Sequence, residues 1–125
     1  MTPAFSIVIP TFRRGTDLAE CLASVCALDY PKDRIEVIIV DNGIHTGSTM
    51  QAAIRAIRKL DVRRVVAAIP VSDLNSRDAI ESAADEVVCL AWIEKFGHVG
   101  LWYQEFIRPT NDQILSLYLN CEEND

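Results

Sequence analysis

The side chains best suited to chemistry crowd into one short stretch: Asp41, Asn42, His45, Thr46, Ser48 and Thr49, with Gly47 among them. They follow the apolar run Val37-Ile38-Ile39-Val40 and precede the helix-forming Met50-Gln51-Ala52-Ala53-Ile54. A buried strand thus delivers the Asp41 carboxylate to its carboxyl end, and a loop then opens a helix. A carboxylate there accepts hydrogen bonds from sugar hydroxyls, while backbone N–H groups at a helix start, backed by the helix dipole, hold a phosphate. Gly47 permits a backbone conformation that other residues adopt only at a cost. The hydroxyls of Thr46, Ser48 and Thr49 add donors, or cap the helix when no anion is bound. A ribose 5-phosphate needs both halves at once.

The elements that must hold this loop follow from hydropathy. Residues 6–10 read as a short buried strand, followed by the loop Thr11-Phe12-Arg13-Arg14-Gly15-Thr16. Asp17 is placed to cap a helix, with Glu20 as its capping-box partner, and Leu18, Cys21, Leu22 and Val25 form one apolar stripe. Asp29-Tyr30-Pro31-Lys32-Asp33 breaks that helix, and residues 35–40 form the second strand. The helix after the loop is predicted over 48–60, with Met50, Ala53, Ile54, Ile57 and Leu60 inward and Arg55, Arg58 and Lys59 outside. Strands at 63–71 and 86–90 flank a helix at 73–83, with Asp85 and Glu86 as a solvated shoulder. A loop rich in aromatics and a short helix around 112–119 complete the chain.

Continuous apolar strands alternating with amphipathic helices imply a parallel sheet with helices on its faces, and ligands outside the carboxyl ends of the strands. The expected fold is a single α/β domain over 1–125, a small three-layer unit with a mostly parallel sheet. Half of the residues are apolar and 24% are charged, an ordinary globular balance. A net charge of −6 argues against generic binding of nucleic acid or anionic membrane, and no apolar run approaches the ~20 residues of a membrane span. The first residues lack the pattern of a secretory leader. Cys21, Cys26, Cys89 and Cys121 show no zinc spacing, so reduced thiols in a cytoplasmic protein, with no resident metal, are expected. A sheet this small exposes an edge on which a homodimer can form.

The run from Val37 to Met50 resembles the phosphoribosyl-diphosphate (PRPP) loop of type I phosphoribosyltransferases. The likeness continues through Arg63-Arg64-Val65-Val66-Ala67-Ala68-Ile69-Pro70-Val71 and Ala84-Asp85-Glu86-Val87-Val88-Cys89-Leu90 to Val99-Gly100-Leu101-Trp102-Tyr103. It spans about residues 36–119 and implies a truncated phosphoribosyltransferase core. The implied activity displaces pyrophosphate from PRPP with a nitrogenous base, assisted by Mg²⁺. Asp41 and Asn42 would hold the ribose hydroxyls and residues 46–49 the 5-phosphate. His45 stands where purine-salvage relatives carry an Asp acting on the base, so it is a candidate general base, or an exposed loop histidine without a role. Trp102, Tyr103 and Phe106 lie where relatives cover the base; they either stack on it or pin the loop to the sheet. Asn42 replaces the second acid of the usual pair, and the family's Arg-Gly-Gly pyrophosphate loop is not present in its usual form. Arg13 and Arg14 are the candidate substitute, gripping pyrophosphate with two guanidiniums, or else a solvated turn.

Residues 1–43 resemble a second family. Ser6-Ile7-Val8-Ile9-Pro10-Thr11-Phe12, Asp29-Tyr30-Pro31 and Val37-Ile38-Ile39-Val40-Asp41-Asn42-Gly43 look like the start of family 2 nucleotide-sugar glycosyltransferases. There the Pro-Thr-aromatic turn and the acid after the second strand hold the nucleotide. No Asp-x-Asp, through which that family binds diphosphate and metal, occurs in these 125 residues. The readings left open are a PRPP or ribose 5-phosphate nucleotide site, a non-catalytic nucleotide-binding domain, a remnant nucleotide-sugar site, and a folded chimera of the two families without function.

Overall fold

The computed structural model describes residues 2–11, 15–107 and 109–122. Four parallel strands form one sheet in sequential order: β1 (Phe5–Pro10), β2 (Ile35–Val40), β3 (Arg64–Asp73) and β4 (Glu86–Ile93). The connections are α1 (Gly15–Ala27), α2 (Ser48–Arg58) and α3 (Arg77–Ala83), with α4 (Asn111–Glu122) at the end. The α/β class and the parallel sheet are those the sequence implies.

The layering differs from the expectation. One sheet face is covered: Ile9, Ile35, Val37, Ile39, Val65, Ala67 and Ile69 share a core with Val25 of α1, Met50, Ala53, Ile54 and Ile57 of α2, and Ile80 of α3. The other face is open among the described residues, with Val8 59%, Val88 45% and Leu90 81% exposed. Among the described residues the result is two layers rather than three. Parallel crossovers are right-handed, so a sheet whose order never reverses receives all its helices on one side. Strand β2 shows this residue by residue: Ile35, Val37 and Ile39 are buried, while Glu36, Ile38 and Val40 are half-buried. An unbroken apolar run alone does not distinguish this one-sided burial from burial on both faces.

Polar pairing finishes the amino end of the open face. Ser6 donates to Glu36 at 2.8 Å, and Arg64 bridges Glu36 and Glu86. Farther along lies a shallow apolar groove of about 330 Å³, lined by Val40, Ala68, Pro70, Val88 and Leu90.

Helix α2 sits at the centre of the covered face because its apolar residues recur every three to four positions. Truncating the fully buried Ile54 to Ala would cost about 2–5 kcal/mol, the usual range for such a cavity. Asp85 is exposed, as a solvated shoulder would be, and is also a structural tie: its carboxylate accepts the Val65 N–H at 2.7 Å and pairs with Arg58 at 3.1 Å. Arg58 also donates to the Ala83 carbonyl at 3.0 Å, so α2 is clamped to the end of α3. Helix α1 starts at Gly15, which puts Asp17 inside the first turn instead of at the cap.

Candidate functional site

Strand β2 ends at Val40, and parallel pairing with both neighbours carries the chain to the carboxyl edge of the sheet. Asp41 emerges there, held by its N–H on the Ala68 carbonyl at 3.3 Å. Its Oδ2 accepts the Thr11 hydroxyl at 3.0 Å, and its Oδ1 accepts the Gly43 N–H at 3.4 Å. Burial pushes the Asp41 carboxyl above its ordinary value of 3.8, and the donors of Thr11, Gly43 and Asn42 pull back against it. An ionised carboxylate offers about four acceptor positions, so with these three donors about one remains for a ligand.

The loop beyond is fixed by Ile44, which pairs with β3 through an isolated bridge to Ser72. Its N–H donates to Val71 at 3.2 Å, its carbonyl accepts from Asp73 at 2.8 Å, and its side chain is buried. Gly47 then takes a left-handed backbone with φ +78° as the residue before α2. No side chain caps this helix, and the first intrahelical bond runs from Gln51 N–H to the Gly47 carbonyl at 2.9 Å. The N–H groups of Ser48, Thr49 and Met50 therefore lack intrahelical acceptors. The first turn carries no acid, and the hydroxyls of Thr46 and Ser48 lie 3.2 Å apart.

These residues line one cleft of about 140 Å³, formed by Asp41 and residues 43–50. At about 30 Å³ per liquid water the space suits a phosphate with part of a pentose, and the rest of a larger ligand would lie outside the cleft. Asp41, His45, Thr46, Gly47, Ser48 and Thr49 are thus brought together. Asn42 is exposed at the rim, and its carbonyl accepts the Tyr103 hydroxyl. Arg13 and Arg14 lie outside the described residues. No group of three or more His, Cys, Asp or Glu is disposed to hold a metal ion among the described residues.

Five residues join the site that the loop motif alone does not reveal. Thr11, 4% exposed, ties the end of β1 to Asp41. Tyr103 comes back over the carboxyl edge, and its hydroxyl is pushed above its ordinary value by burial and then by the charge of Asp41. Asp73, at the last position of β3, faces His45, whose Nδ1 lies 3.2 Å from Asp73 Oδ2. Phe96, buried at 2%, stacks on the His45 ring with centroids 5.8 Å apart, and Trp102 stacks behind Phe96 at 6.4 Å. Trp102 also donates its Nε1–H to the Phe96 carbonyl at 2.7 Å. The aromatics of the terminal segment therefore pin it to the site, one of the two roles open to them.

Comparison with known proteins adds two likenesses. The profile described as "Glycosyl transferase family 2" matches residues 6–68, half of the chain. The chain belongs to glycosyl transferase family 2 over those residues. The match runs past residue 43 into β3, so the family 2 segment comprises the first two strands, α1, α2 and the first half of β3. Glycosyltransferase AglE from Haloferax volcanii is 37% identical over 46 residues, 37% of this chain and 15% of its own. The second likeness reaches farther. The "Putative phosphoribosyl transferase Rv0571c" of Mycobacterium tuberculosis strain H37Rv is 32% identical over 105 residues, covering 84% of this chain and 21% of its own. The crystal structure of TT1426 from Thermus thermophilus superposes with a TM-score of 0.62 at 31% identity, covering 84% of this chain and 50% of that one. The chain thus spans about a fifth of the tuberculosis relative and half of the Thermus chain. Both resemblances read from the sequence are borne out. No helix among the described residues is long and apolar enough to cross a membrane.

Proposed function

We propose that this family 2 chain acts as a transferase-like protein that binds PRPP, or a ribose 5-phosphate nucleotide, in the 41–50 cleft. The observation that carries the reading is the convergence of the Asp41 carboxylate and the uncapped start of α2 on one cleft of about 140 Å³. Asp41, with Asn42 at the rim, would accept from the ribose hydroxyls. The N–H groups and hydroxyls of residues 46–49 would hold the 5-phosphate. Transfer would join a ring nitrogen of a base to the anomeric carbon as pyrophosphate departs with the bonding electron pair. Positioning and electrostatics supply most of the rate in such a reaction. Arg13 and Arg14 belong to the same proposal as the grip on pyrophosphate. The donor set suits a Mg²⁺ that keeps its waters and arrives on the diphosphate, because Asp41 offers a single carboxylate. The free thiols Cys21, Cys26 and Cys89 support a cytoplasmic setting.

One contact favours a second reading. The Thr11–Asp41 hydrogen bond joins the two segments that hold the nucleotide in family 2 enzymes, which suits a nucleotide-sugar remnant. Calorimetric titration with Mg²⁺–PRPP, and with UDP-glucose plus Mn²⁺, separates the two. The phosphoribosyl reading expects PRPP binding that weakens at least about tenfold in Asp41→Ala, since charge-assisted hydrogen bonds contribute about 1.5–3 kcal/mol each. UDP-glucose binding without PRPP binding would overturn it.

A further inference from the structure

We infer that His45 and Asp73 form a proton-transfer pair facing the phosphate loop, with Asp73 as the positioning residue and His45 Nε2 as the proton acceptor. The ligand it would take is a nitrogen heterocycle bearing an ionisable N–H. The inference rests on the phosphoribosyl reading of the cleft, in which His45 is already the candidate general base, and adds to it the Asp73 partner that would orient the ring and set its tautomer.

The pair is built by the backbone. Strand β3 runs two residues beyond the expected end, to Asp73, and its last positions pair with Trp92 and Ile93 of β4. Ile44 is clamped to this extension through Val71 and Asp73, which sets the next residue, His45, beside the Asp73 side chain. Asp73 is 7% exposed and its Oδ1 is occupied, accepting the Asn75 N–H at 2.9 Å and the Asn75 Nδ2 at 3.0 Å. Its Oδ2 is directed at His45 Nδ1. The imidazole is therefore held at one nitrogen by a carboxylate and on one face by Phe96, with an interplanar angle of 12°. The ring is 62% exposed at its side chain, yet it has a partner at one nitrogen and on one face.

The tautomer follows from the partner. An ionised carboxylate only accepts hydrogen bonds, so a neutral His45 must carry its hydrogen on Nδ1 and leave the Nε2 lone pair free. His45 lines the same cleft as Asp41 and Ser48, which places its ring beside the proposed ribose site. In the transfer the ring nitrogen of the base forms its bond to the anomeric carbon, and its proton moves to His45 Nε2. Pyrophosphate takes the electron pair of the broken C–O bond. The Asp73 carboxylate faces the imidazolium that forms, an arrangement with the same logic as an Asp-oriented histidine in hydrolases.

The test begins with the unaltered full chain. Long-range ¹H–¹⁵N correlation of the histidine rings, at a pH where they are neutral, should show His45 in the Nδ1–H form. Asp73→Ala should move it to the Nε2–H form that free imidazoles prefer. Nε2–H at His45 in the unaltered chain overturns the pair, and that result needs no variant to fold. Carbethoxylation by diethylpyrocarbonate, read peptide by peptide, then asks whether Nε2 faces the cleft. With Mg²⁺–PRPP at about ten times its Kd, occupancy leaves about a tenth of sites free, so His45 should react about tenfold more slowly while His98 is unchanged. Unchanged His45 reactivity with the Nδ1–H form intact overturns the link to phosphoribosyl transfer and leaves the pair standing. The wrong tautomer overturns the pair whatever PRPP does.

Discussion

Replacing Gly47 tests the geometry of the phosphate loop most directly. Its φ of +78° lies in the left-handed region, where residues with a β-carbon are strained by about 1–3 kcal/mol. Space is not the obstacle: an added Cβ would meet Ile80 Cδ1 and Ser76 Cβ at 3.4 Å, ordinary van der Waals contact. Alanine also lowers the entropy of the unfolded chain, which offsets about 0.4–1 kcal/mol. Gly47→Ala should therefore lose about 1 kcal/mol net, and Gly47→Val, stiffer at its β-carbon, about 2–3 kcal/mol. Unfolding entropy of about 2.1 cal/mol/K per residue gives about 0.26 kcal/mol/K for 125 residues. The Tm should then fall by about 4 °C for Ala and about 8–12 °C for Val. Gly47→Asn should stay close to the parent, because asparagine tolerates this conformation. Thermal unfolding by circular dichroism reads the series, and calorimetry with Mg²⁺–PRPP should show phosphate affinity lost in Gly47→Val. An alanine variant as stable as the parent would refute the left-handed turn, and retained affinity in the valine variant would refute the loop assignment.

Other outcomes follow from single contacts. Asp41→Asn should raise Tm at pH 7 while weakening ligand binding, because burial raises the Asp41 pKa and charging it costs folding free energy. The gain should shrink as pH falls through the raised pKa and vanish below 3.8, where folded and unfolded carboxyls are both protonated; an equal gain at low pH would refute the cause. Asp85 is the opposite case: burial opposes its charge, but the Val65 N–H and Arg58 outweigh burial and lower its pKa. Its stabilisation is present above 3.8 and lost as pH falls through the lowered pKa, so Asp85→Asn should cost about 0.5–1 kcal/mol near neutrality and little in strong acid. If the open sheet face supports a homodimer of two copies, sedimentation velocity should give a dimer for the parent and a monomer for Leu90→Lys. A monomeric parent would refute that use of the face.

Local signals made much of the chain legible from its residues. The 3.6-residue spacing of Met50, Ala53, Ile54 and Ile57 marks α2 because those side chains must meet one surface, and all four are buried. Val37-Ile38-Ile39-Val40 marks β2, and the glycine before Ser48 marks the turn into α2, since each depends on neighbours in sequence. The parallel sheet and the loop at its carboxyl edge follow from the order of elements alone. Asp41, Gly47 and the hydroxyls around it were therefore visible as a candidate site.

What local pattern could not determine was set by contacts distant in sequence. The bare second sheet face depends on strand order, because an apolar run reads the same whether one face or both are covered. The tie of Asp85 to Val65 and Arg58 depends on β3 and α2 meeting the end of α3, so a polar pair before a strand read as solvated surface. Thr11 reaches Asp41 across 30 residues and Tyr103 reaches Asn42 across 61. Asp73 becomes a partner of His45 only because the Ile44 bridge aligns the loop with the end of β3. The sequence by itself determined which residues could bind sugar and phosphate, through local propensity and periodicity. Tertiary pairing decided which of them share a cleft and what stands beside the histidine, because those distances are set by strand register and by the packing of helices on one face.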